Sequence, residues 1–250
     1  MSSVSDFADA LADAREGDTI ILSAGDYETL SLDSTLTDVT IEAEDGAVVD
    51  KIIIAADASL TDVTIAGMDV NYVDSSSAYL DGGFIAIKAG AEVKTLVIAD
   101  SVLSGSGGRS SVISVREPSA EITISNCVLD GTKYGVYGSA PIAKLTVEDC
   151  EIKNISSWAI MMNGSDGVGA ELTITGNTFD NCTGGIAKYL GSSVVDGSFT
   201  TFANNDLTGS TGHDGADAKW FTIPAGGVVT VSGNTLDGSA WTPGVAQGLK

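Results

Sequence analysis

Glu121-Ile-Thr-Ile-Ser-Asn-Cys-Val-Leu-Asp-Gly131, Lys144-Leu-Thr-Val-Glu-Asp-Cys-Glu-Ile-Lys-Asn154 and Glu171-Leu-Thr-Ile-Thr-Gly-Asn-Thr-Phe-Asp-Asn181 are one phrase written three times. Counting from Ile124, Val147 and Ile174, the third residue on is Cys127, Cys150 or Asn177, and the fifth is Leu129, Ile152 or Phe179. The seventh is Gly131, Asn154 or Asn181. Columns that keep register over spacings of 23 (124 to 147) and 27 (147 to 174) residues mark a solenoid. Each phrase is then one coil, and equivalent residues stack roughly 4.8 Å apart, the spacing between neighbouring strands of a sheet.

Each column has a physical reading. Gly or Asn in the last column is what a turn with positive φ selects, because these residues enter the left-handed region at least cost. The middle column is an apolar file that fills the interior. The first column holds small polar side chains able to hydrogen-bond from coil to coil, so Cys127, Cys150, Asn177, Asn205 and Asn234 are expected to form a structural ladder.

The phrase recurs downstream through Asn205, Leu207 and Gly209, and again through Asn234, Leu236 and Gly238. Upstream it survives as Ser101, Leu103 and Gly105, then as Met68 and Val70, and Leu36-Thr-Asp-Val-Thr-Ile41 repeats at Leu60. The expectation is about eight coils. A further strand follows the turn column in most coils, at Phe84–Ile87, Ser111–Val115, Gly135–Tyr137, Trp158–Met162, Gly185–Ala187 and Trp220–Ile223. With the short segment around the Cys/Asn column, this predicts an all-β, right-handed, single-stranded parallel β-helix of three sheets.

Ser3 to Gly17 reads as the one helix. Ser3 with Asp6 resembles a capping box, Val4, Phe7, Leu11 and Ala14 share a face, and Gly17 is a stop signal. A solenoid ends in an open sheet edge and an open core, so this helix is expected to cap it. The chain divides into a cap, 1–17, and a β-helix domain, 18–250. From Trp241 on no helical cap is written: either the tail folds back over the last coil or a partner covers that end, the partner being the leading expectation.

The alanine-rich helix followed by Gly17-Asp18-Thr-Ile-Ile-Leu22 and Gly25-Asp26-Tyr27 resembles the opening of the pectate-lyase-like β-helix superfamily, in particular the chondroitinase B-like and alginate lyases. The resemblance implies a fold. It also implies where chemistry would sit: such lyases use a Lys or similar base beside a uronate carboxyl, with Arg or calcium to neutralise it. Lys88 and Arg116 close successive strands and are the candidate pair, with Tyr137, Asn163, Trp158 and Trp220 as candidate binding residues. No lyase motif is matched residue by residue, so no catalytic role is carried over.

Other chemistry is thinly represented. Polygalacturonase-type hydrolysis needs paired carboxylates with a His and basic residues, yet the single His, His213, sits in a Gly/Asp loop and no Asp-Asp pair occurs. No cofactor is implied. Calcium has only weak candidates in Asp214 and Asp217, without a spaced loop of carboxylates. The glycosylation acceptors at Asn154, Asn163 and Asn181 carry no weight without a secretory signal.

Charge narrows the partners. Thirty-four acids against 12 bases give a net charge of −22, which argues against nucleic acid and anionic membrane as partners and suits a self-repelling, solvent-facing surface. The three cysteines are expected to be buried free thiols, since stacked side chains of a parallel sheet point the same way. Met1-Ser-Ser-Val-Ser-Asp6 has no cleavable signal pattern, and no apolar run reaches spanning length. The leading expectation is a non-enzymatic structural or surface protein, such as a capsid decoration or tail-associated component of a virion, with protein partners or self-assembly, a trimer included. Its place would be a virion surface or the extracellular space. The alternative is a polysaccharide lyase or carbohydrate-binding protein acting on acidic polysaccharide.

Overall fold

The computed structural model describes residues 3–73, 83–106, 111–162, 171–189, 199–213, 219–223, 227–243 and 245–247. Its chain winds through three ribbons of parallel strands. The first stacks nine strands, beginning Thr19–Leu22, Thr40–Ala43 and Val63–Ala66 and ending Glu171–Thr175, Phe199–Ala203 and Val228–Ser232. The second is made of short strands such as Val128–Asp130, Glu151–Lys153 and Thr178–Asp180, and the third of strands such as Gly83–Ile87, Ser111–Val115 and Tyr134–Gly138. Ribbons two and three are joined at the start, because Ala47–Ile54 runs unbroken from pairing with Asp69–Val73 to pairing with Gly83–Ile87.

The registers place like on like. Ile98, Ile124, Val147, Ile174 and Phe202 face inward in one file of the first ribbon. Leu103, Leu129, Ile152, Phe179 and Leu207 do so in the second, and Ile85, Ile113, Val136 and Ile160 in the third. Every member of these files is buried, so the three files meet in one apolar core, most of whose side chains are β-branched or aromatic and suit a pleated, packed surface.

Two turns per coil need positive φ. The expected column is present from Gly131 on, with Gly131 at 86°, Asn154 at 56°, Asn181 at 53° and Gly209 at 57°, whereas Gly105 lies inside the strand Val102–Ser106 and does not have positive φ. A second column, which the reading of the sequence passed over, stands one residue before the polar ladder: Asp100, Asn126, Asp149, Gly176 and Asn204, at 52° to 70°. The signal was there as Asp, Asn or Gly ahead of each ladder residue. Asp and Asn tolerate this region because their short side chains bond locally; here Asn126 Nδ2 donates to Asp100 Oδ1 on the preceding coil.

The cap is shorter than expected. It runs Val4–Asp13, with the Ser3 hydroxyl accepting from the Asp6 N–H at 3.2 Å, and the chain is already extended at Ala14. Gly17, at φ 84°, turns the chain into the first coil after the helix has ended. Phe7 and Leu11 are buried against that coil, while Val4 and Ala14 are partly buried beside them. At the other end the tail turns back on itself: Ser239–Ala240 pairs antiparallel with Thr235–Leu236, and Trp241 packs against Trp220 and Phe202. Of the two expected covers, the fold-back of the chain is present in part.

Candidate functional site

The polar ladder is the most regular feature of the interior. At each corner a backbone N–H donates to the side chain of the next coil: Met68 to Ser101 Oγ at 3.1 Å, Cys127 to Cys150 Sγ at 3.4 Å, and Cys150 to Asn177 Oδ1 at 2.9 Å. Asn177 to Asn205 Oδ1 and Asn205 to Asn234 Oδ1 follow, each at 2.9 Å. The amides also donate backwards, Asn177 Nδ2 to the Val147 carbonyl and Asn205 Nδ2 to that of Ile174. Buried donors are thereby met without water. Cys182 repeats the device at the other corner, where its N–H donates to Ser210 Oγ.

All three cysteines are free and buried. The hydrogen bond between the stacked thiols lowers Cys127 and raises Cys150, with burial adding to the latter. Desolvation pushes the Cys182 thiol up to about 12. Thiols held in this way are inert.

Lys88 and Arg116 stand at one position of neighbouring coils. The register pairs Ile87 with Val115, the residues just before them, and the Arg116 N–H donates to the Ile87 carbonyl at 3.0 Å. Since Ile85, Ile87, Ile113 and Val115 point inward, alternation turns Lys88 and Arg116 outward; both are half-buried. Lys133, Lys188 and Lys219 also lie on or beside third-ribbon strands. Lys94, Lys144 and Lys153 lie on the other two ribbons, each beside a glutamate.

The aromatic candidates are packed. Tyr134, Tyr137, Trp158 and Met161 form a small buried cluster outside the third ribbon. The Trp158 ring lies 5.2 Å from the His213 imidazole, nearly parallel to it at 14°, with Lys188 Nζ 5.5 Å from its centre. Tyr137 tilts against Tyr134 at 5.1 Å, and Lys133 Nζ stands 5.4 Å from the Tyr134 ring. Trp220 belongs to the core itself, in edge contact with Trp241 at 4.6 Å. Neither tryptophan presents an open face for a sugar.

Asn163, Asp214 and Asp217 lie outside the described residues. Among the described residues, Glu44, Asp45, Asp69 and Asp100 line a cleft of about 290 Å³, but no three His, Cys, Asp or Glu side chains converge to hold a metal ion. A second cleft, of about 320 Å³, crosses three coils at the corner of ribbons three and one, with Pro118, Pro141, Ala120 and Ala143 along it and Glu92 and Lys94 at its rim.

One feature of the exterior escaped the sequence reading. Thr19, Thr40, Thr64, Val97, Thr123, Thr146, Thr173, Thr201 and Thr230 occupy one outward position on the nine stacked strands of the first ribbon. The threonines from Thr40 on are visible in the sequence, each flanked by two inward residues as in Leu172-Thr-Ile174. Their meaning depends on strand register, which only the fold supplies.

No curated protein matches the chain. Among solved structures it is similar to AlyGC, a PL6-family alginate lyase, with a TM-score of 0.49 and 16% identity over 98% of this chain and 38% of that one. It is also similar to QnrB1, a plasmid-mediated fluoroquinolone resistance protein, with a TM-score of 0.33 and 14% identity over 88% and 91% of the two chains. The chain thus spans little more than a third of the lyase's length. The family described as the right handed beta helix region matches residues 50–240, where the ladders, the two turn columns and all three ribbons are found. The chain belongs to the right-handed β-helix family.

Proposed function

We propose that this protein is a structural, non-enzymatic β-helix: a stiff acidic element of a larger assembly, of the kind a capsid decoration or tail-associated protein provides. The observation that carries this reading is where the candidate side chains go. The Cys/Asn column is consumed in coil-to-coil hydrogen bonds, Trp158 is stacked on His213, and Trp220 is locked against Trp241. A net charge of −22 spread over such a rod keeps its copies apart except where a surface is built to meet.

A second reading rests on Lys88 and Arg116. Two cations turned outward on neighbouring coils, one rung apart, match a carboxylate-bearing chain, and a guanidinium fork binds a carboxylate with two hydrogen bonds. On this reading the third ribbon binds or cleaves an acidic polysaccharide. The two readings separate in an elimination assay with alginate, chondroitin and pectate, with and without calcium, followed by the ultraviolet absorbance of the unsaturated product. A flat trace on all three is expected. A rise that Lys88→Ala or Arg116→Ala abolishes overturns the structural reading in favour of the lyase.

A further inference from the structure

The last strand of the first ribbon, Val228–Ser232, has one edge paired with Phe199–Ala203 and no strand on the other among the described residues. Its sequence, Val-Val-Thr-Val-Ser, has none of the devices that normally protect an edge: no charge, no proline, no bulge. Val228 is 52% exposed. The inward residues Val229 and Val231 are only half-buried, whereas their neighbours one coil back, Thr200 and Phe202, are 1% and 0% exposed. The fold-back at Ser239–Ala240 covers the second ribbon and leaves this edge open.

Charge is withdrawn from the same place. Between Trp220 and Gln247 the only ionisable acid or base is Asp237, in a chain with 34 acids and 12 bases. A surface that repels its copies everywhere else does not do so here. The opposite end of the rod is covered by the Val4–Asp13 helix, with Phe7 and Leu11 buried beneath it.

We infer that two copies of this chain pair through the Val228–Ser232 edge, antiparallel about a twofold axis at Thr230. Strand alternation fixes the register. The Ser232 carbonyl accepts the Asn204 N–H at 2.9 Å, so it faces its own rod, and the polar groups of Val229 and Val231 face the free side. Val229 of one copy and Val231 of the other then form a hydrogen-bonded pair, twice by symmetry. The two Thr230 side chains meet on the outer face at a non-hydrogen-bonded position, where cross-strand side chains approach most closely. The threonine file runs on from one rod into the next. Because the contact is isologous, with the same strand of each copy used up in it, association through this edge closes at two rather than at a trimer or an open fibre. This inference stands on the edge itself and is independent of the function proposed above.

Sedimentation equilibrium of the full chain over a range of concentrations in about 0.15 M salt tests it. The expected result is a mass of twice 25.3 kDa, with Thr230→Lys and Thr230→Glu each monomeric and an equal mixture of the two variants restoring the doubled mass. Mixing guards against misfolding, since a chain that failed to fold would not recover a partner. A wild type that stays monomeric at every concentration, one that grows without limit, or variants that remain apart when mixed would each overturn the pairing.

Discussion

Asn177 and Asn205 are joined twice: Asn205 Oδ1 accepts from the Asn177 backbone N–H at 2.9 Å and from its Nδ2 at 3.0 Å. Both groups are buried, so removing the acceptor leaves the Asn177 N–H with nothing to bind, while Nδ2 keeps the Val147 and Thr175 carbonyls. At about 1–3 kcal/mol for a buried donor left unmet, Asn205→Ala is expected to lower stability by about that amount. Asn205→Cys keeps a side-chain acceptor of the kind Cys150 offers to Cys127 and should cost less than half as much. Urea denaturation of the two variants gives the comparison; equal losses would mean that the ladder stabilises by packing alone.

The turn columns predict a contrast between two glycines. Gly131 and Gly209 share the left-handed column, at φ 86° and 57°. A Cβ on Gly131 would run into the Gly105 carbonyl oxygen of the preceding coil, whereas one on Gly209 would meet nothing within 4 Å. Gly209→Ala should therefore cost only the backbone term, about 1 kcal/mol, and Gly131→Ala clearly more, about 2–3 kcal/mol. Thermal melts of the pair decide it.

What the sequence made legible follows from periodicity. Ile124, Val147 and Ile174 repeat their neighbours' chemistry at every coil, so the parallel stack, the buried thiols and the Asn ladder could be read without coordinates. The candidate site was less legible for a physical reason. Whether Trp158 is a platform or a packed ring depends on His213, more than 50 residues away in the chain, and no local pattern announces that contact. The same holds for Lys88 and Arg116, whose adjacency was inferred from strand position and appears in the register, while what they meet outside the rod is set by chemistry beyond a single chain.

The N-terminal cap should fail before the rod does. Phe7 is 1% exposed and is one of two large side chains that hold the helix on the first coil. Truncating a buried Phe to Ala costs roughly 3–5 kcal/mol, more than a helix of this length contributes on its own, since short helices are marginal in water. In Phe7→Ala the Val4–Asp13 amides should exchange with solvent far faster, while those of the Ile122–Ile174 region keep their protection. Uniform loss of protection would show instead that the cap and the coils fold as one unit.

Cys182 sets a pH dependence whose sign can be worked out. An unfolded thiol titrates at about 8.5, and burial pushes the native thiol up to about 12. Between these values the unfolded chain has released its proton and the native one still holds it, so stability falls as pH rises; below about 8.5 the contribution is fully present. The slope from this group alone is at most about 1.4 kcal/mol per pH unit. Cys182→Ser retains a side chain able to donate to the Ile152 carbonyl, as the thiol does at 3.3 Å, but does not titrate in this range. Urea midpoints from pH 7 to pH 10.5 should run parallel for wild type and variant up to about pH 8.5 and then converge or cross, with the wild type falling more steeply. In the same buffer the native protein should leave a thiol reagent unreacted until denaturant is added, and curves parallel across the whole range would show that the Cys182 thiol is not desolvated in the native rod.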